Sequence, residues 1–158
     1  NEIWGYESVG LAQSNEEMAE WLKGNKPNWG SNWGEGDVMY KNLVDRVDEN
    51  GNKMDEGVVN AGSNTLGDHG DKKVIGNSTP RYNFGITLNA EWKGFDFSIF
   101  FQGVMKRDWM FGAGQPYFWG ATGSVWQSTV FKEHLDYWRK DNKGAYYPKP
   151  YLEILLKK

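Results

Sequence analysis

The sequence predicts an all-β chain organised around one long antiparallel hairpin, with large loops and short helices on either side. Two observations lead there. Residues 81–92 (RYNFGITLNAEW) alternate apolar and polar side chains without a break, and residues 95–105 (FDFSIFFQGVM) repeat the pattern after Lys93-Gly94. Such a period of two belongs to strands and not helices. Elsewhere the chain of 158 residues is rich in turn formers, with 20 glycines, and its apolar residues are unusually aromatic, with nine tryptophans.

The first segment, Asn1 to Gly36, is turn-rich with one helical island. Ser14 stands three residues before Glu17, the spacing of a capping box, and Met18, Trp21 and Leu22 follow on one helical face. Gly24 is placed to stop it, so a short helix over 14–23 is expected. Residues 37–77 are acidic and glycine-spaced, and a structureless loop of this length needs some local tie, for instance an ion.

In the hairpin, a two-residue Lys-Gly turn pairs Trp92 with Phe95, Ala90 with Phe97, Leu88 with Ile99 and Ile86 with Phe101. Phe84, Ile86, Leu88, Phe97, Ile99 and Phe101 then share an apolar face. Asn83, Thr87, Asn89, Glu91, Asp96, Ser98 and Gln102 share the polar one, where only Phe100 and Val104 interrupt. A slip of one residue would mix the faces, so the pattern sets the register. Residues 107–151 read again as loop, with a short helix expected over 129–138 on which Phe131, Leu135 and Trp138 share a face. Residues 152–158 (LEILLKK) carry no assignment.

Bulk properties exclude several classes. A net charge of −3 gives no basic footprint for nucleic acid, and the absence of cysteine excludes disulfides and thiolate zinc sites. No apolar run is long enough for a transmembrane helix, and the opening residues do not form a signal peptide. His69 and His134 stand alone, no nucleophile motif is present, and no catalytic set is predicted. The exposed aromatics expected in the loops, Trp109, Trp119 and Trp126 among them, are candidate ligand or partner contacts.

The residues leave the hairpin open to two readings. It is either part of a soluble sheet or a tilted pair of membrane-crossing strands. The strands are about twice the usual soluble length of ~5–6 residues, and aromatics sit at both ends. A soluble or surface β-rich carbohydrate-binding or adhesin-like domain is the first rival. A glycan hydrolase fragment using Glu91 and Asp96 as its acids is the second.

Taken together, GYESVGLAQSNEEMAEW, GDVMYKNL, GDKKVIGNSTPRYNFGITLNAEWKGFDFSIFFQGVMKRDWM and HLDYWRKDNKGAYYPKPY resemble the late barrel region of SusC/RagA-type TonB-linked outer-membrane transporters. The resemblance runs from Asn1 to about Tyr151. It implies a fragment of a large antiparallel transmembrane β-barrel, about 22-stranded by family expectation, in the outer membrane of a Gram-negative bacterium. The implied function is import of oligosaccharides or peptides, with a SusD-like surface lipoprotein as partner and TonB engaged through an N-terminal part that this chain lacks. The resemblance and the turn length together put Lys93-Gly94 on the periplasmic side, 80–106 across the membrane, and 1–79 and 107–151 in extracellular loops. No cofactor is required, but the family's acidic run after its GDxxY motif matches Asp48-Glu49-Asn50-Gly51-Asn52-Lys53-Met54-Asp55. Asp48, Asn50, Asn52 and Asp55 are therefore candidate Ca²⁺ ligands at alternating spacing. Here Asn52 replaces the usual aspartate, the following glycine is absent, and Leu43–Val47 is extra.

Overall fold

The structure is a computed structural model, and it describes residues 1–112 and 130–151. Among these the chain is built of strands, most of them short and two of 11 residues, with one α-helix, which makes it all-β. Every sheet is two-stranded, and no closed barrel forms among the described residues. The strands are β1 (Glu2–Tyr6), β2 (Ser8–Leu11), β3 (Lys26–Pro27), β4 (Val38–Tyr40), β5 (Val58–Val59), β6 (Lys72–Asn77), β7 (Tyr82–Trp92) and β8 (Phe95–Met105). They pair as β1-β6, β2-β4, β3-β5 and β7-β8. The chain divides into two units, Asn1–Trp4 with Val74–Met110, and Gly5–Lys73 with Phe111–Lys158.

The first unit is dominated by the hairpin. β7 and β8 have 11 residues each and pair from Tyr82↔Met105 to Trp92↔Phe95 in the register that the alternation predicts. Lys93 (φ 48°) and Gly94 (φ 84°) both take left-handed backbone, the requirement of a type I′ turn whose twist matches the strands it joins. Glycine carries that conformation without strain and Lys93 does not, so the long ladder holds the lysine in place. Two phenylalanines lie over glycines on opposite faces. Phe84 stands opposite Gly103, where any Cβ would overlap its ring, and a Cβ on Gly85 would meet Phe100 at 3.1 Å.

The second unit holds the small apolar core: Ala12, Met18 and Met39, with Trp21, Leu22 and Trp33 packed against them. Helix α1 (Asn15–Trp21) supplies Met18, Trp21 and Leu22 from one face as its spacing predicts. Its ends differ slightly from the expected 14–23. Ser14 is the N-cap, accepting from the Glu17 N–H at 3.2 Å, and Leu22 is the C-cap. The Glu17 carboxylate reaches back one residue further than a capping box does, accepting from the Gln13 N–H at 2.6 Å.

Two expectations are corrected. Residues 72–77 form β6 and are not loop, because the β-branched pair Val74-Ile75 finds a partner strand in β1, far away in sequence. The helix expected over 129–138 is a single 3-10 turn, Lys132–Leu135, and residue 129 lies outside the described residues. The Asp136 carbonyl accepts from the Tyr147 N–H at 3.0 Å, and Trp138 N–H donates to the Tyr147 carbonyl at 2.9 Å. The chain leaves the helix to pair with 147, burying Trp138 while Phe131 and Leu135 stay exposed.

Candidate membrane face, polar loop and cleft

The hairpin places Phe84, Ile86, Leu88, Phe97, Ile99 and Phe101 on one face, and all but the half-buried Ile99 are exposed. Leu88 keeps 54% of its surface and Phe97 59%, values that water makes costly over a continuous apolar surface. At each end an aromatic ring carries a cation: the Lys93 ammonium lies 4.9 Å from the Trp92 ring and that of Lys106 lies 5.8 Å from Tyr82. Asn83, Thr87, Asn89, Glu91, Asp96, Ser98 and Gln102 occupy the other face. There Ser98 Oγ donates to Asn89 Oδ1 at 2.8 Å, while Glu91 stands directly opposite Asp96. A like-charged pair is tolerable in contact with water.

The acidic segment is tied down by its own carboxylates. Asp71 is fully buried; its Oδ1 accepts from the Leu43 and Val44 N–H groups at 2.6 and 3.0 Å, and its Oδ2 accepts from the Asn60 N–H at 2.7 Å. Gly70 precedes it at φ 57°, so close to Gly62 that no side chain fits. Asp45 accepts from Asn42 Nδ2 at 2.6 Å and from the Gly57 N–H at 3.0 Å. Asp68 accepts from the Ser63 N–H at 2.9 Å and its hydroxyl at 2.6 Å. Sequence reading finds the acids but not these roles, because each depends on segments brought together by the fold.

The four candidate calcium ligands fall into separate bonding sets. Asp48 accepts from the Asn50 and Asn52 N–H groups, each at 2.8 Å, and from Asn52 Nδ2 at 3.0 Å, closing a turn. Asp55 instead accepts from Arg46 N–H and Nε, both at 2.6 Å, and from Asn60 Nδ2 at 2.8 Å. Among the described residues no three acidic or histidine side chains gather into a cation site.

A cleft of about 650 Å³ opens in the second unit between Asn15, Asn32, Trp33, Glu35, Lys149 and Tyr151. At its side Asp37 accepts from the Gly34 N–H at 2.7 Å and from the Tyr151 hydroxyl at 3.0 Å. Burial pushes the Asp37 carboxyl up against the lowering effect of those bonds. Burial, and then the nearby Asp37 charge, push Tyr151 up to about 12, so the phenol stays protonated and donating. Trp29 is not a free platform; it packs on Tyr6 at 4.7 Å and on Tyr40 at 5.5 Å between ring centroids. His134 is a local cap, its Nδ1 accepting from the Phe131 N–H at 3.1 Å. Trp109 is 70% exposed, 5.3 Å from the Arg107 guanidinium, and Trp119 and Trp126 lie outside the described residues.

Comparison with family models, with curated proteins and with solved structures found no match to this chain.

Proposed function

We propose that this chain is part of a TonB-dependent outer-membrane importer for oligosaccharides or peptides, working with a SusD-like surface lipoprotein. One observation carries the membrane half of the reading. Each hairpin strand has 11 residues and an apolar face left exposed along its length, and a cation-bearing aromatic stands at either end. Strands of this length extend ~36 Å, and a ~45° tilt brings that to ~25 Å, the height of the apolar band of a membrane barrel. An isolated hairpin in water is marginal, whereas lipid satisfies the apolar face. The transport half is supported by the resemblance of the motifs around the hairpin to the SusC/RagA type. In this reading the chain acts by binding and passage and not by catalysis, with the polar face toward the lumen.

A soluble or surface β-rich carbohydrate-binding domain is the second reading, favoured by the cleft beside Trp33 and Tyr151. Fractionation of the full-length protein separates the two. The importer reading expects recovery in the outer membrane and release only by detergent. A monomer that stays in solution without detergent sinks it.

A further inference from the structure

Asn50 is the only asparagine of the chain that is followed by glycine, and it stands at the tip of the turn that Asp48 closes. The Val47↔Lys53 bridge and a bond from the Asp48 N–H to the Asn52 carbonyl at 2.9 Å hold the base of this turn. At the tip the Asn50 N–H donates to Asp48 Oδ1 at 2.8 Å, and the Gly51 N–H donates to the Asp48 carbonyl at 3.0 Å. Both residues are exposed, and the Asn50 carboxamide has no hydrogen bond to any described residue. Gly51 takes φ 82°, with nothing within 4 Å of the place a Cβ would occupy. Other asparagines are committed or screened. Asn60 Nδ2 donates to Asp55 at 2.8 Å while its Oδ1 accepts from the Gly62 N–H at 2.8 Å, and Asn64 Oδ1 accepts from the Lys72 ammonium at 2.6 Å. Asn28 and Asn32 precede Trp29 and Trp33, whose side chains crowd the following backbone nitrogen.

We propose that Asn50 is a site of spontaneous deamidation in the folded protein, held in check by the Asp48 turn. The Gly51 backbone nitrogen gives its proton to hydroxide and attacks Cγ of the Asn50 carboxamide. The new C–N bond closes a succinimide ring, and the side-chain nitrogen leaves as ammonia after taking a proton from water. A water molecule then adds to either ring carbonyl and opens the ring, leaving aspartate or isoaspartate at position 50. In sum a water is consumed and an ammonia released, with no change of oxidation state. Glycine favours the attack because it carries no side chain to screen its nitrogen. The bond from the Gly51 N–H to the Asp48 carbonyl opposes it, since a nitrogen fixed there as a donor does not reach Cγ. The Asp48 carboxylate strengthens the brake by tying the Asn50 and Asn52 N–H groups into the same turn. This site stands apart from the membrane reading of the hairpin.

The test follows the full-length protein through long incubation at neutral and at mildly alkaline pH, with peptide mapping by mass spectrometry at intervals. Electron-transfer fragmentation separates isoaspartate from aspartate. Asn50 is expected to convert ahead of every other asparagine, to a mixture of the two acids, and faster at the higher pH. Asn50→Gln should lose the conversion, because the longer side chain must close a larger and slower ring. Asp48→Ala should speed it about fivefold, the effect of one hydrogen bond lost from the turn. An Asn50 that stays intact, or that converts behind other asparagines, overturns the site. Conversion to aspartate alone overturns the succinimide route, which gives both acids. A rate in Asp48→Ala that is unchanged or slower overturns the brake.

Discussion

Single residues decide how the acidic segment holds its shape. Asp71 joins three stretches of chain through three backbone donors, and nothing in the residues around it announces this. Its role depends on where Leu43 and Asn60 arrive, which is a property of the fold. Ser14, by contrast, was legible, since a cap is written within four positions of sequence. Asp71→Ala strands the donors on Leu43, Val44 and Asn60. Asn60 is buried, whereas Leu43 and Val44 are open enough to turn their N–H groups to water, so the expected loss is about 1–3 kcal/mol of local stability, the cost of one buried donor left unmade. Limited proteolysis of the full-length protein should cut within 41–73 much faster in this variant, and an unchanged rate would refute the cradle.

The hairpin was the most legible element, because alternation, turn and register all follow from neighbours in sequence. The set of six apolar positions follows the same way. The expected helix after residue 129 failed for the opposite reason. Apolar spacing was present, but pairing with Tyr147 took the backbone groups that a helix would have used. Within the hairpin, Gly103 is the most constrained position, since Phe84 fills the space a side chain needs. Gly103→Val should turn the exposed Phe84 ring aside, at a cost of about 0.5–1.5 kcal/mol for a strained rotamer. A urea titration of the full-length protein, followed by circular dichroism, should register this as a lower midpoint; an equal midpoint would show that the ring has room to move.

Across the whole molecule, polar ties do much of the work that an apolar core does in other domains. Several of their carboxyls are held below the usual range. An Asn42 hydrogen bond lowers Asp45, one from Asn52 lowers Asp48, and one from Ser63 lowers Asp68. Burial pushes Asp55 up, but its bonds and ion pair with Arg46 outweigh that and lower it. Groups lowered in the folded state stabilise it fully above their unfolded values, near ~4. That contribution fades as pH falls through the lower folded values. Hydrogen exchange within 41–73 should therefore show constant protection from about pH 5 to 8 and a loss below about pH 4. Protection already lost at pH 6 would point to a different titrating group. The ties also differ in how much chain they close. The Ser98–Asn89 bond spans 9 residues, and the Ser78–Asn1 bond, in the same unit as the hairpin, spans 77. Loop closure alone makes the longer of these dearer by about 2 kcal/mol. The Lys93-Gly94 turn is thus a saving in chain entropy: it lets the hairpin close without waiting for the first residues of the chain to come home.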